Sequence, residues 1–309
     1  MNPQVLMLIA LWTLVGLIIG SFCNVVILRL PKMMLEGEFE SQSEDPKVDV
    51  QASHTSLSLS HPSSHCPHCQ TPLKATELIP LLSFLWQKGK CLHCHESISW
   101  QYPLVEFLNA VWWGFCAHQF LGAQVSLAPV LLGLPVPCVS ALLWSLLGSA
   151  LLCLCFIDLS HHLLPDAITQ PLLWTGLLAA HAGLLGIDLD HALMGAVWGY
   201  ASLCFVAWCY KSFTGLEGMG QGDMKLLAVF GAWIGAWSLI PLVFMASSLG
   251  LLIGLGQLAF KKNMGLRSEI AFGPYLIVSF LLLLLMGPAH ALELMGLGSV
   301  TPFTEKFLP

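Results

Sequence analysis

Hydrophobic positions in this chain do not alternate and do not follow a helical stripe; they come in long unbroken blocks separated by short polar turns. A membrane-spanning helix needs about 20 mostly apolar residues. Eight blocks qualify, near 5–28, 104–122, 139–157, 168–187, 192–210, 224–238, 240–260 and 270–288. The block at 224–238 is short and rich in Gly and Trp. With Pro241 close to its junction with the next block, the two read either as two helices or as one broken element. The first block has no basic stretch before it and no small-residue cleavage site, so it reads as a retained helix and not as a signal peptide. The pattern predicts an all-α polytopic membrane protein of about eight transmembrane helices, with one sizeable polar segment at 29–103 and a tail at 289–309.

Composition agrees with the blocks. Of 309 residues, 56% are hydrophobic and 10% charged, against about 25% charged in a soluble domain. So few charges cannot cover a water-facing surface. The balance of 12 Lys+Arg against 18 Asp+Glu gives a net charge of −6, which together with the absence of a long basic run argues against nucleic acid as a partner. Basic residues prefer cytoplasmic loops. With the N-terminus outside, alternate helices deliver Arg29, Lys32, Lys47, Lys74, Lys88, Lys90, Lys211, Lys225, Lys261, Lys262 and Arg267 to the inside and only Lys306 to the outside. The same count places the turns 158–167 and 211–223 inside and the turn holding Asp188, Asp190 and His191 outside.

The polar segment has two parts. Residues 36–65 are acidic and then rich in Ser and His, a composition unable to bury a core and expected to form a flexible linker. Residues 66–103 carry Cys66-Pro-His-Cys69 and Cys91-Leu-His-Cys94, two CxxC pairs twenty-one residues apart. Two such knuckles suit a tetrahedral four-thiolate Zn2+ site. A disulfide is the alternative, but an inside loop lies in a reducing compartment. A closed four-thiolate site has no open position, so the metal is expected to fold the loop and not to catalyse. His65, His68, His93 and His95 are read as solvated neighbours. The remaining seven cysteines, in or beside apolar blocks, read as small buried hydrophobes.

Two carboxylates stand out because ionisable groups near a bilayer are costly and face a cavity or a partner. Asp158 ends the run LLCLCFI and Asp223 begins the run KLLAVFGAW, so both fall at inside helix ends. Asp223 also suits a helix N-cap. Asp158 opposes the dipole of the helix it ends and needs another reason. Before Asp223 come Gly218, Gly220 and Gly222, which allow unusual backbone conformations and close approach of a bound chain. The run lacks the third glycine of a dinucleotide fingerprint and the GK[ST] of a P-loop. If the two carboxylates approach, one holds a proton while the other acts as base on a water, as in aspartic proteases. A proton-coupled transporter using the pair as a relay is the alternative. Asp166 is expected to be the N-cap of the helix it begins.

GMGQGDMKLL (218–227) resembles the GxGD signature of the bacterial type IV prepilin peptidases, and IDLSHHLLPD (157–166) resembles their first-aspartate motif. GSFCNVVILRLP (20–31), IPLLSFLWQKGKC (79–91), YPLVE (102–106) and FGPYL (272–276) are similar to other family segments in the same order. The resemblance implies an inner-membrane aspartic protease with a mostly eight-helix core, its multi-helix protease part lying over 104–288. Such enzymes cut the leader from prepilins and pseudopilins after a Gly on the cytoplasmic side. It further implies Asp158 and Asp223 as the catalytic dyad and Cys66, Cys69, Cys91 and Cys94 as zinc ligands. By the same resemblance, the new N-terminal residue is methylated with S-adenosylmethionine, whose site is assigned to no residue.

Overall fold

The computed structural model describes residues 3–42, 58–122, 130–131, 134–216, 218–260 and 271–287. The expected linker between 43 and 57, the tail at 289–309 and the basic residues Lys261, Lys262 and Arg267 lie outside the described residues. The fold is all-α: α1 (Pro3–Gln42), the short α2 (Leu82–Trp86), α3 (Gln101–Leu121), α4 (Val136–His161), α5 (Asp166–His181), α6 (Leu189–Thr214), α7 (Gln221–Ile234), α8 (Leu239–Phe260) and α9 (Gly273–Met286). The described strands are a two-residue antiparallel pair, Val130–Leu131 with Leu134–Pro135.

Each of the eight apolar blocks is a helix. Among the described residues, four helices are long and apolar enough to cross a membrane: Pro3–Glu36, Val136–His161, Leu189–Thr214 and Leu239–Gln257. The other four blocks fall short for physical reasons. Helices α5, α7 and α9 have 16, 14 and 14 residues, roughly 21–24 Å at the α-helical rise. α3 is long enough but carries Glu106, Asn109, His118 and Gln119. The choice between one and two helices over 224–260 resolves to two, because Gly235 adopts φ +77°, where α7 ends.

The chain divides into two compact units: residues 1–129 with 141–153, and residues 130–140 with 154–309. In the first, α1 and α3 pack against the middle of α4 around a buried polar network. The Asn109 amide donates to Gly16 O (2.7 Å), the Trp113 indole N–H donates to Ser149 Oγ (2.9 Å), and that hydroxyl donates to Asn109 Oδ1 (2.8 Å). Such bonds hold helices together where lipid removes the hydrophobic drive to associate. The outer face of α1 leaves Leu11, Leu14, Ile18 and Phe22 exposed at helical spacing.

The second unit is built around α7, whose residues from Met224 to Ile234 are buried except Lys225. On α6, Gly195 and Gly199 face Gly231 and the Leu227 backbone so closely that a Cβ at either glycine would collide. This small-residue contact brings the two helix backbones together. Phe230 stacks on Phe280 of α9 with ring centroids 4.3 Å apart, and the Trp233 indole donates to Leu172 O of α5 at 2.9 Å.

Candidate active site and thiolate cluster

Within the second unit, the end of α4 and the starts of α5, α7 and α9 meet. Asp158 lies in the last turn of α4, before a left-handed C-cap at His162 (φ 53°), and is 5% exposed. Its Oδ2 has no hydrogen-bond partner, and the Gly273 N–H, at the first residue of α9, faces its carboxylate. Asp223 is 9% exposed. The structure separates its two readings: the N-cap of α7 is Gly220, and Asp223 stands inside the first helical turn. It is therefore not a cap. Its carboxylate lies within electrostatic reach of Asp158, so the fold brings the two candidate residues together.

The surroundings of the pair are built for close approach. Leu164, in the turn between α4 and α5, fills the space beside Gly222, where a Cβ would stand 2.8 Å from the leucine Cβ. It also reaches Gly273, where a Cβ would stand 3.5 Å from its Cδ1 and 2.5 Å from Asp158 Oδ2. The glycines before Asp223 act differently from the expectation. None of the three adopts a positive φ; Gly218 makes room for the Tyr210 ring and Gly222 for Leu164, while Gly220 has open space. Glu217, between α6 and this run, lies outside the described residues.

Asp166 also differs from its expected role as an N-cap. Pro165 is the cap of α5, and both Asp166 oxygens accept from Lys225 Nζ at 2.7 and 2.8 Å. This half-exposed ion pair ties α5 to the first turn of α7 and engages the lysine closest in sequence to Asp223. Neither Gly273 nor Lys225 is a site residue by the sequence pattern alone, where Lys225 counts only toward the orientation. The signal for Gly273 was a Gly-Pro pair opening an apolar run, FGPYL.

In the first unit the four expected cysteines converge. The ligand atoms of Cys66, Cys69, Cys91 and Cys94 lie within 4.8 Å of one another, with Cys66 Sγ 3.8 Å from Cys94 Sγ. Four thiolates around Zn2+ at about 2.3 Å stand about 3.8 Å apart, so the cluster fits that ion. The two knuckles repeat one backbone design. Gln70 N donates to Cys66 O and His95 N to Cys91 O at 2.9 and 3.0 Å, and Cys66 N and Cys91 N donate to Thr71 O and Glu96 O. Gln70 and His95 both take φ 59°.

Polar contacts favour the thiolate form at two of the four cysteines. The Thr71 side chain and backbone bring Cys69 down to about 6, and backbone N–H groups of Cys94 and His93 lower Cys91. Cys94 accepts from the Glu96 backbone, yet burial and the three other sulfurs push it up to about 12. Four sulfurs this close cannot all ionise without a cation. The histidines stay outside the cluster; His93 Nε2 instead lies 3.7 Å from Glu77 Oε1. The end of the expected linker is held in place, because the Arg29 guanidinium donates to Ser58 O, Leu59 O and Pro62 O. Its beginning, 36–42, continues α1.

Two family models match successive parts of the chain. Residues 14–120 match the model of the bacterial peptidase A24 N-terminal domain, and residues 145–255 match that of the type IV leader peptidase family. The chain is 42% identical over 275 residues to a prepilin leader peptidase/N-methyltransferase of Pseudomonas aeruginosa, covering 89% of each chain. It is 43% identical over 283 residues to a protein of that name from Aeromonas hydrophila, again covering 89% of each. A third so named, from Neisseria gonorrhoeae, is 37% identical over 273 residues and 88% of each chain. No solved structure matches the chain.

Proposed function

This chain belongs to the type IV leader peptidase family, and from that premise we propose that it cleaves the leader peptide from type IV prepilins and type II secretion pseudopilins. Cleavage falls after a Gly at the cytoplasmic face of the inner membrane, with Asp158 and Asp223 as the catalytic dyad. The observation that carries this reading is the convergence of two buried carboxylates at helix ends, with the adjacent Lys225 already engaged by Asp166. Two buried carboxylates in electrostatic reach cannot both be charged cheaply, so one keeps a proton. The ionised member takes a proton from water as the water attacks the scissile carbonyl. The protonated member donates to the carbonyl oxygen as charge develops there, and the proton taken from water passes to the leaving amine. Burial at the helix ends keeps both carboxylates in low dielectric, where these contacts are strong.

In this reading all eight apolar helices cross the bilayer, residues 29–103 are cytoplasmic and residues 104–288 form the protease core. Cys66, Cys69, Cys91 and Cys94 hold a structural Zn2+, which when bound supplies the positive charge that lets four neighbouring thiolates coexist. N-methylation of the new terminus with S-adenosylmethionine is proposed on the relatives' names.

The test uses purified protein, a prepilin and mass spectrometry of the product with and without S-adenosylmethionine. The expected outcome is loss of the leader in both, with an added methyl group only when the donor is present. Asp158→Asn and Asp223→Asn should each abolish cleavage while the protein keeps its fold and its metal. Cleavage surviving in either variant removes that residue from the dyad.

A further inference from the structure

The thiolate module presents an apolar face that nothing in the protease reading uses. Leu82, Leu85 and Trp86 are 61, 71 and 87% exposed, and their i, i+3, i+4 spacing puts them on one side of α2. Phe84 points the other way: its ring packs over Gly89 and lies 5.0 Å, edge to face, from that of Trp100, itself largely exposed. In water such a cluster on so small a module is a liability.

Its depth identifies what covers it. Helix α1, apolar enough to cross a membrane, meets its first charge at Arg29. α3 runs beside it in the opposite sense, with the Asn24 amide donating to Tyr102 O at 3.1 Å and Gly20 closely facing the Glu106 backbone. Gly20 is nine residues before Arg29, so with α1 spanning the bilayer as proposed and Arg29 at its surface, Glu106 stands about 14 Å further into the membrane at 1.5 Å per residue. The headgroup layer on one side is only about 5–8 Å thick. Glu106 Oε2 accepts the Leu81 N–H at 2.8 Å, and this bond pins the start of α2 to that depth. Even with the reach of the glutamate side chain, α2 begins at the acyl boundary. Lys88 and Lys90 follow it, both exposed, where cationic heads extend to lipid phosphates.

We propose that Leu82, Leu85 and Trp86 form a lipid-facing wedge that seats the four-cysteine module in the bilayer interface beside α3, with phospholipid as the partner. Trp and Leu flanked by Lys suit that layer. The wedge fixes the height of the module independently of the metal that folds it.

The test places the full-length protein, labelled with fluorotryptophan, in nanodiscs of phosphatidylcholine and phosphatidylglycerol. The chain has 11 Trp, and Trp86→Phe identifies the Trp86 resonance by its disappearance while the others and the metal content stay unchanged. A lipid spin-labelled high on its acyl chain is expected to broaden that resonance beyond detection, whereas a water-soluble gadolinium chelate leaves it visible. Leu85→Glu should lift the wedge and restore the signal against the spin-labelled lipid. Broadening by the chelate instead, or by neither agent because a protein surface such as a second copy covers α2, overturns the proposal. The readout is lipid contact and not cleavage, so it is decided separately from the proteolytic reading.

Discussion

At position 273 a side chain has nowhere to go, because Asp158 Oδ2 would stand 2.5 Å from its first carbon. Only glycine lets α9 start against the carboxylate with its N–H facing it. Gly273→Ala must move either the helix or the aspartate. A displacement on the order of 1 Å near the chemistry costs about 100-fold in rate. Cleavage assays should therefore show a loss of that order in kcat with KM little changed, and the variant should still load its metal. Near-wild-type turnover would mean that the contact does not position Asp158. Asp223 carries a related lesson. From sequence alone it suits a helix cap as well as a catalytic acid, and only the cap of α7 three residues earlier, at Gly220, separates the two.

Among the elements, those with a long-range chemical signature were legible in advance. Apolar blocks of helix length marked all eight large helices, and the paired CxxC spacing marked the knuckles, whose backbone bonds repeat between Cys66 and Cys91. What stayed hidden was short or lacked a period. α2 has five residues, too few for any helical repeat to show, and the pairing of Val130–Leu131 with Leu134–Pro135 is shorter still. The Arg29 clamp on Ser58–Pro62 joins residues far apart in the chain. The knuckles predict one zinc per chain by elemental analysis. Cys69→Ser should lower that content and leave residues 66–103 protease-sensitive, and unchanged zinc would show that the thiolates are not its ligands. The α6–α7 contact predicts the opposite kind of sensitivity. A Val at Gly231 would enter the Gly195 backbone, and overpacking of this kind costs about 1–3 kcal/mol or more. Gly231→Val should accordingly lower the unfolding midpoint in detergent while leaving zinc content unchanged.

For the molecule as a whole, the proposed eight spans require helices as short as α7 to take part in crossing the bilayer. Its 14 residues span about 21 Å, against a hydrocarbon core of about 30 Å. A helix exposed to lipid would pay for that mismatch by thinning the bilayer. α7 is instead walled in by protein, with Leu226–Ile234 buried, so its neighbours and not lipid define its surroundings. It need only reach from the carboxylate end of the unit to the turn at Gly235. Beyond that turn Trp237 is exposed, as the proposed eight-span arrangement requires of a residue at the opposite interface. Charges argue for the same arrangement: Lys211 and Lys225 flank the carboxylate end, while Asp188, Asp190 and His191 mark the other. Reporter fusions test it. Alkaline phosphatase joined after Asp188 or Trp237 should be active and fluorescent protein dark at both. The reverse should hold after Gly215, which the proposed orientation puts on the cytoplasmic side with the dyad. Fluorescence after Trp237 would mean that α7 turns back without crossing, and fluorescence after Asp188 would invert the orientation and place the dyad outside.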